Sequence, residues 1–104
     1  MIWHPVCPLD DIDPEDLIRY DHAGHTYAVY RDPDGAVFAT DGLCTHEQVH
    51  LCDGLVMGHQ IECPKHNGRF DYRTGEAQRA PCVMALKTYP TRIIGNIIEI
   101  GLED

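Results

Sequence analysis

No run in this 104-residue sequence approaches the ~20 apolar residues needed to cross a bilayer as a helix. Met1-Ile2-Trp3-His4-Pro5 has no basic stretch leading into an apolar run, so the expectation is a cytoplasmic protein away from membranes. Basic residues are also scarce. Eight Lys and Arg stand against 17 Asp and Glu, for a formal net charge of -9. That balance argues against nucleic acid or an anionic membrane as partner and suits a basic protein better. The acids gather at Asp10, Asp11, Asp13, Glu15 and Asp16 and again at Glu99, Glu103 and Asp104, where a solvated surface is the simplest account of each. Helical periodicity is weak throughout, so no long helix is expected. The five cysteines cannot all pair, and a reducing compartment discourages disulfides, which leaves metal ligation as the better use for some of them.

What the sequence does contain is a succession of short β-rich runs separated by Gly, Pro, Asn and Asp, the mark of an all-β domain of stacked antiparallel sheets. Strands are predicted over Leu17–Asp21, Thr26–Arg31, Ala36–Thr40, Gln60–Cys63, Arg69–Tyr72, Leu86–Ile94 and Asn96–Leu102. His22-Ala23-Gly24-His25, Asp32-Pro33-Asp34-Gly35, Arg73-Thr74-Gly75-Glu76 and Gly95-Asn96 supply turn residues between them. Alternation in Thr26–Arg31 predicts that one face, carrying Tyr27 and Val29, looks inward, and the same pattern holds for Ile98 and Ile100. Asp13 is placed to cap a single helical turn with Pro14 at its first position. No repeat or linker interrupts the chain, so residues 1–104 read as one domain. So short a chain buries a thin core, and a bound metal centre is a plausible further source of stability.

Chemistry concentrates in two loops. Cys44-Thr45-His46 is followed, after sixteen intervening residues, by Cys63-Pro64-Lys65-His66. Each loop offers one thiolate and one imidazole. Four such ligands can close a tetrahedral zinc site, or hold two irons with both thiolates on one and both imidazoles on the other. Spacing leaves both open, although mixing Cys with His inside each loop favours the split arrangement. Cys52 and His50 form a further His-x-Cys pair with no second pair to complement them, and non-ligand roles are expected for both. Cys82, after Pro81, is expected to be buried, and Cys7 to lie too near the N-terminus to join the centre. His4, His22, His25 and His59 read as exposed turn or strand residues. The glycines at 42, 54 and 58 do not make a phosphate loop, and no nucleophile motif accompanies the carboxylates, so no acid/base site is read.

Together, Cys44-Thr45-His46, Cys63-Pro64-Lys65-His66-Asn67-Gly68-Arg69-Phe70-Asp71, Thr74-Gly75, Ala80-Pro81-Cys82 and Leu86-Lys87-Thr88-Tyr89-Pro90 resemble the Rieske ferredoxin pattern. The resemblance runs from about Val37 to the end. It implies the Rieske (ISP-domain) fold, a base of antiparallel sheets carrying a small cluster-binding subdomain at about residues 43–82. It implies a [2Fe-2S] cluster held by Cys44, His46, Cys63 and His66, with the two histidines at the tip. One departure is Glu47, where the family most often has Gly; its carboxylate either sets partner choice or is an ordinary surface side chain.

Rieske proteins of respiratory complexes resemble one another in a disulfide that braces the loops and in a serine and a tyrosine that donate hydroxyl hydrogen bonds to sulfur. The corresponding positions here are Val49 and Lys65, which cannot bridge, and Gly68 and Phe70, which carry no hydroxyl. Without those donors the electron-rich form loses stabilisation, and the reduction potential is expected near the low end of the Rieske range, about -150 mV. The outer ring nitrogens of His46 and His66 are expected to couple reduction to protonation at alkaline pH.

The resemblance therefore implies a monomeric one-electron carrier that transforms no substrate itself. It would be reduced by a flavin-containing, NAD(P)H-dependent ferredoxin reductase and oxidised by a terminal oxygenase, with both partners docking around His46 and His66. Two alternatives remain open at this point: a permanently bound Rieske-like small subunit, as in nitrite reductase, and a zinc-stabilised binding module.

Overall fold

Turn chemistry and strand pairing account for most of the chain in the computed structural model, which describes all 104 residues. Eleven strands form: β1 (Ile2–Pro8), β2 (Asp16–His22), β3 (His25–Arg31), β4 (Val37–Asp41), β5 (Leu55–Met57), β6 (Gln60–Glu62), β7 (Arg69–Asp71), β8 (Ala77–Arg79), β9 (Thr88–Tyr89), β10 (Thr91–Ile94) and β11 (Ile97–Leu102). The only helical pieces are 3-10 turns at Leu9–Asp11 and Leu51–Asp53. The β2–β3 hairpin turns on Ala23 and Gly24, at φ 50° and 78°, the left-handed geometry that a two-residue turn between right-twisted strands requires.

The strands make three antiparallel sheets, ordered β1-β11-β10, β2-β3-β4-β9 and β5-β6-β7-β8. The middle sheet is shared between two cores. Ala28 and Tyr30 of β3 face Leu51, Val56, Ile61, Phe70 and Tyr72 of the third sheet and its connections. Tyr27 and Val29, pointing the opposite way, pack with Ile98, Ile100 and Leu102 of the first sheet. Both faces of β3 are therefore buried, where one inward face is expected from the alternation. The reason is layering: a strand in the central sheet of a stack has apolar neighbours above and below, and Ala28 and Tyr30 are apolar enough to serve. Tyr30 stacks on Tyr72 with ring centroids 4.6 Å apart, and its hydroxyl shares a 2.8 Å hydrogen bond with Thr40 Oγ1, so its polar end is satisfied inside the core.

Three further differences from the sequence-based expectation have local causes. The helical turn expected at Asp13-Pro14 does not form; Pro14 and Glu15 make a non-helical turn with Glu15 at φ 60°. Glu15 N–H donates to the Arg31 carbonyl at 2.8 Å, so this segment is already committed to feeding β2 alongside β3. The run Leu86–Ile94 is divided at Pro90, which carries no N–H for a ladder, so β9 joins the middle sheet and β10 the first. β1 forms despite Pro5 and Pro8 because it lies at a sheet edge, with a register shift between Pro5 and Cys7.

Candidate metal centre

The two Cys/His loops are built to the same plan. In the first, Cys44 N–H donates to the Val49 carbonyl at 3.0 Å; in the second, Cys63 N–H donates to the Gly68 carbonyl at 2.8 Å. Each loop is thus pinched shut between a cysteine and the residue five positions later. The second turns sharply because His66 and Asn67 are both left-handed, at φ 64° and 58°. Asn tolerates that region readily; His adopts it at some cost, a cost that the surrounding structure must offset. The first loop is tied to the covering segment by Thr45 Oγ1, which donates to the Met84 carbonyl at 2.7 Å.

Within each loop the side chains separate by type. Cys44 and Cys63 are both 1% exposed and belong to the core. His46 and His66 project outward, with side chains 37% and 61% exposed and ring centroids 5.7 Å apart. Burial pushes the Cys63 thiol up to about 11; the Lys65 N–H facing the sulfur opposes this, while Cys44 and Glu47 add to it. A bound cation takes the place of the proton on a coordinating thiol. The groups whose donor atoms crowd within 4.8 Å of one another contain no cysteine, so the sulfurs and the imidazoles do not converge on one point. A single tetrahedral ion would require such convergence. Two thiols on the inside and two imidazoles on the outside suit a two-iron group that takes sulfur on one metal and nitrogen on the other.

Comparison with known proteins gives the same answer. Residues 2–90 match the family model described as the Rieske [2Fe-2S] domain. The chain belongs to the Rieske [2Fe-2S] family. It is 42% identical, over 97% of its length and 96% of the relative's, to the ferredoxin component of the naphthalene 1,2-dioxygenase/salicylate 5-hydroxylase systems of Ralstonia sp. The solved ferredoxin of carbazole 1,9a-dioxygenase from Nocardioides aromaticivorans IC177 superposes with a TM-score of 0.92 at 33% identity, covering 99% of this chain and 100% of that one. A ferredoxin solved in complex with the oxygenase of carbazole 1,9a-dioxygenase gives a TM-score of 0.91 at 33% identity, covering 96% and 93%. The protein is a Rieske ferredoxin of the dioxygenase-system type, an electron-transfer component.

Several side chains pack around the Rieske loops. Gly68 is buried against Cys82; a Cβ at Gly68 would overlap the Cys82 sulfur, so the two residues require each other's size. Cys82 is 3% exposed, as expected, and its sulfur lies 3.9 Å from that of Cys44. Phe70 is fully buried with no hydroxyl to offer. Val49 packs against the core while Lys65 is exposed. The Glu47 carboxylate reaches towards both exposed imidazoles, 3.9 Å from His46 Nε2 and 3.6 Å from His66 Nε2. The sequence places this carboxylate at the tip; that it faces both rings is visible only in the fold. Val83 and Met84, 81% and 67% exposed, border the same tip, and sequence reading singles out neither. Their signal was the unusual apolar pair directly after Pro81-Cys82.

The remaining cysteines and histidines have other roles. His50 is buried with both ring nitrogens engaged: Nδ1 accepts from Cys52 N–H at 3.0 Å, and Nε2 lies 2.9 Å from Thr26 Oγ1. Burial holds its pKa below the ordinary histidine value, as fits a neutral ring that accepts at Nδ1 and donates at Nε2. Cys52 follows it in the 3-10 turn, and Cys7 lies on β1 in the other core. His25 is exposed as expected, while His4, His22 and His59 are half-buried. Each sits against a carboxylate: Asp104 for His4 and His22, Asp41 for His25 and Asp32 for His59.

Proposed function

We propose that Cys44, His46, Cys63 and His66 are the four cluster ligands, and that this ferredoxin carries single electrons from a flavin-containing NAD(P)H reductase to a terminal Rieske oxygenase. The observation that carries the reading is the separation of the four side chains: both sulfurs buried in one core, both imidazoles exposed and side by side. When bound, a [2Fe-2S] cluster supplies a one-electron couple. Cys44 and Cys63 hold the inner side away from water. His46 and His66 present ring edges to a docked partner and shorten the electron's path. Around them Glu47, Gln48, Lys65 and Asn67 give a polar rim, and Val83 and Met84 an apolar margin, a mixture suited to a small interface that must release. On this reading residues 1–104 are one Rieske domain, with about 43–82 as the cluster-binding part. The protein works as a cytoplasmic monomer, in keeping with five cysteines that form no disulfide.

Aerobic purification followed by visible and electron paramagnetic resonance spectroscopy tests this directly. The expected protein is red-brown, with a paramagnetic signal appearing on one-electron reduction. A colourless protein holding one zinc per chain overturns the cluster. Size-exclusion chromatography tests the carrier: elution as a free monomer is expected, and obligatory co-elution with a catalytic subunit would make it a permanent subunit instead.

A further inference from the structure

We propose that His4, His22 and Asp104 form a second metal site, separate from the Cys/His loops, that takes one divalent transition ion of the zinc class. His4 lies on β1, His22 at the end of β2 and Asp104 two residues beyond β11, so three segments remote in sequence meet at one point. Pairing of β1 with β11 sets Ile2 opposite Leu102 and His4 opposite Ile100, so the chain leaves the sheet at the Ile2 end, and Asp104 then sits against His4 and His22. The turn end of the β2–β3 hairpin supplies the second imidazole.

The donor geometry suits a metal. His22 Nε2 is 2.8 Å from Asp104 Oδ2, His4 Nε2 is 3.4 Å from Asp104 Oδ1, and all three donor groups lie within 4.8 Å of one another. Tetrahedral coordination with bonds of about 2.0–2.1 Å separates neighbouring ligand atoms by about 3.3 Å, close to the spacings already present. The rings are 4.1 Å apart, centroid to centroid, and both direct Nε2 at the same carboxylate. Tyr20 lies parallel to His22, at 6.3 Å and 6°, and helps to hold that ring. The main-chain oxygen of Asp104 also lies 3.4 Å from His4 Nε2.

The ligand set favours zinc, nickel or cobalt over magnesium or calcium, because two of three donors are imidazole nitrogens. Partial exposure of all three side chains leaves an entry path and room for water to complete the shell. The other compact groups are poorer candidates. His46 and His66 belong to the Cys/His loops, and in the Asp32, Asp34 and His59 group one Asp32 oxygen already accepts two main-chain N–H groups, at 2.9 and 2.8 Å. A bound ion would clamp the first sheet, the middle sheet and the segment after β11 together, so the metal should stabilise the fold.

The test is calorimetric titration of cluster-loaded protein with Zn²⁺, with the cluster's visible absorbance recorded throughout to show that iron is retained. One Zn²⁺ per chain is expected to bind, with affinity falling about tenfold or more in His22→Gln and again in His4→Gln. Zinc should raise the thermal midpoint of the wild type clearly more than that of His22→Gln at the same concentration, and Mg²⁺ should raise neither. Either variant is accepted only if its cluster spectrum matches the wild type. Absence of Zn²⁺ binding by the wild type overturns the proposal. So does undiminished binding in both variants, which would place the ion elsewhere, for instance at His46, Glu47 and His66.

Discussion

The two cores of this ferredoxin are made of different materials. The core between the middle and first sheets is mainly aliphatic, with Val29, Ile98, Ile100 and Leu102 closed against Tyr27. The core beneath the Cys/His loops contains Cys44, Cys63 and Cys82 together with Tyr30, Phe70 and Tyr72, and the strands of the third sheet that closes it are only three residues long. Burial of hydrocarbon can hold the first together on its own. The second has short ladders and buried thiols, and a metal group that binds only the native loops would add stability there. The comparison teaches that stability and redox chemistry are divided between regions, with β3 serving both through its opposite faces.

Removing one of the proposed ligands should break the two regions apart most completely. Cys63→Ala is expected to abolish the visible absorbance and the paramagnetic signal altogether, while far-UV circular dichroism retains the strands of the first and middle sheets. If those strands melt together with the loops, the two cores form one cooperative unit and the division fails.

The converse change acts on the aliphatic core. Ile100→Ala should lower the unfolding free energy by about 2–5 kcal/mol, as large-to-small core substitutions do, and urea titration reads it. The folded fraction should keep the wild-type reduction potential, because Ile100 lies on the far side of the middle sheet from the cysteines.

This division was partly legible in the sequence. Cys44, His46, Cys63 and His66 stood out because each pair is local, and β2, β3, β4 and β11 because their turns and alternation are. β5 and β8 were missed: Leu55-Val56-Met57 and Ala77-Gln78-Arg79 are too short to show a period, and each is defined only by the neighbour it pairs with. β1 was missed because its prolines argue against a strand unless its edge position is known. The meeting of His4 and His22 with Asp104 was illegible for another reason, since nothing local links residues that far apart.

A third change probes how the buried loops set the potential. Phe70→Tyr restores a hydroxyl where respiratory Rieske proteins resemble one another in carrying a sulfur donor. One added hydrogen bond of about 0.5–1.5 kcal/mol would raise the midpoint of a one-electron couple by roughly 20–65 mV, measurable by potentiometric titration. An unchanged midpoint would mean that the new hydroxyl bonds elsewhere in the core.

The smallest effect is expected at the seam between the regions. Asp32, in the β3–β4 turn, contacts His59, in the β5–β6 turn, at 3.1 Å and fastens the middle sheet to the third. Burial pushes the Asp32 carboxyl up, but hydrogen bonds from Ala36 N–H, the His59 ring and Asp34 N–H outweigh it, so the net pKa lies below the ordinary aspartate value. A carboxyl depressed in the folded state stabilises above its unfolded pKa, and that stabilisation is lost as pH falls through the lower folded value. Asp32→Asn removes the charge at every pH. The gap in thermal midpoint between wild type and Asp32→Asn should therefore be widest near neutrality and close as pH falls below the usual carboxylate range. A gap that persists unchanged into acid would trace the loss to the shape of the turn and not to its charge.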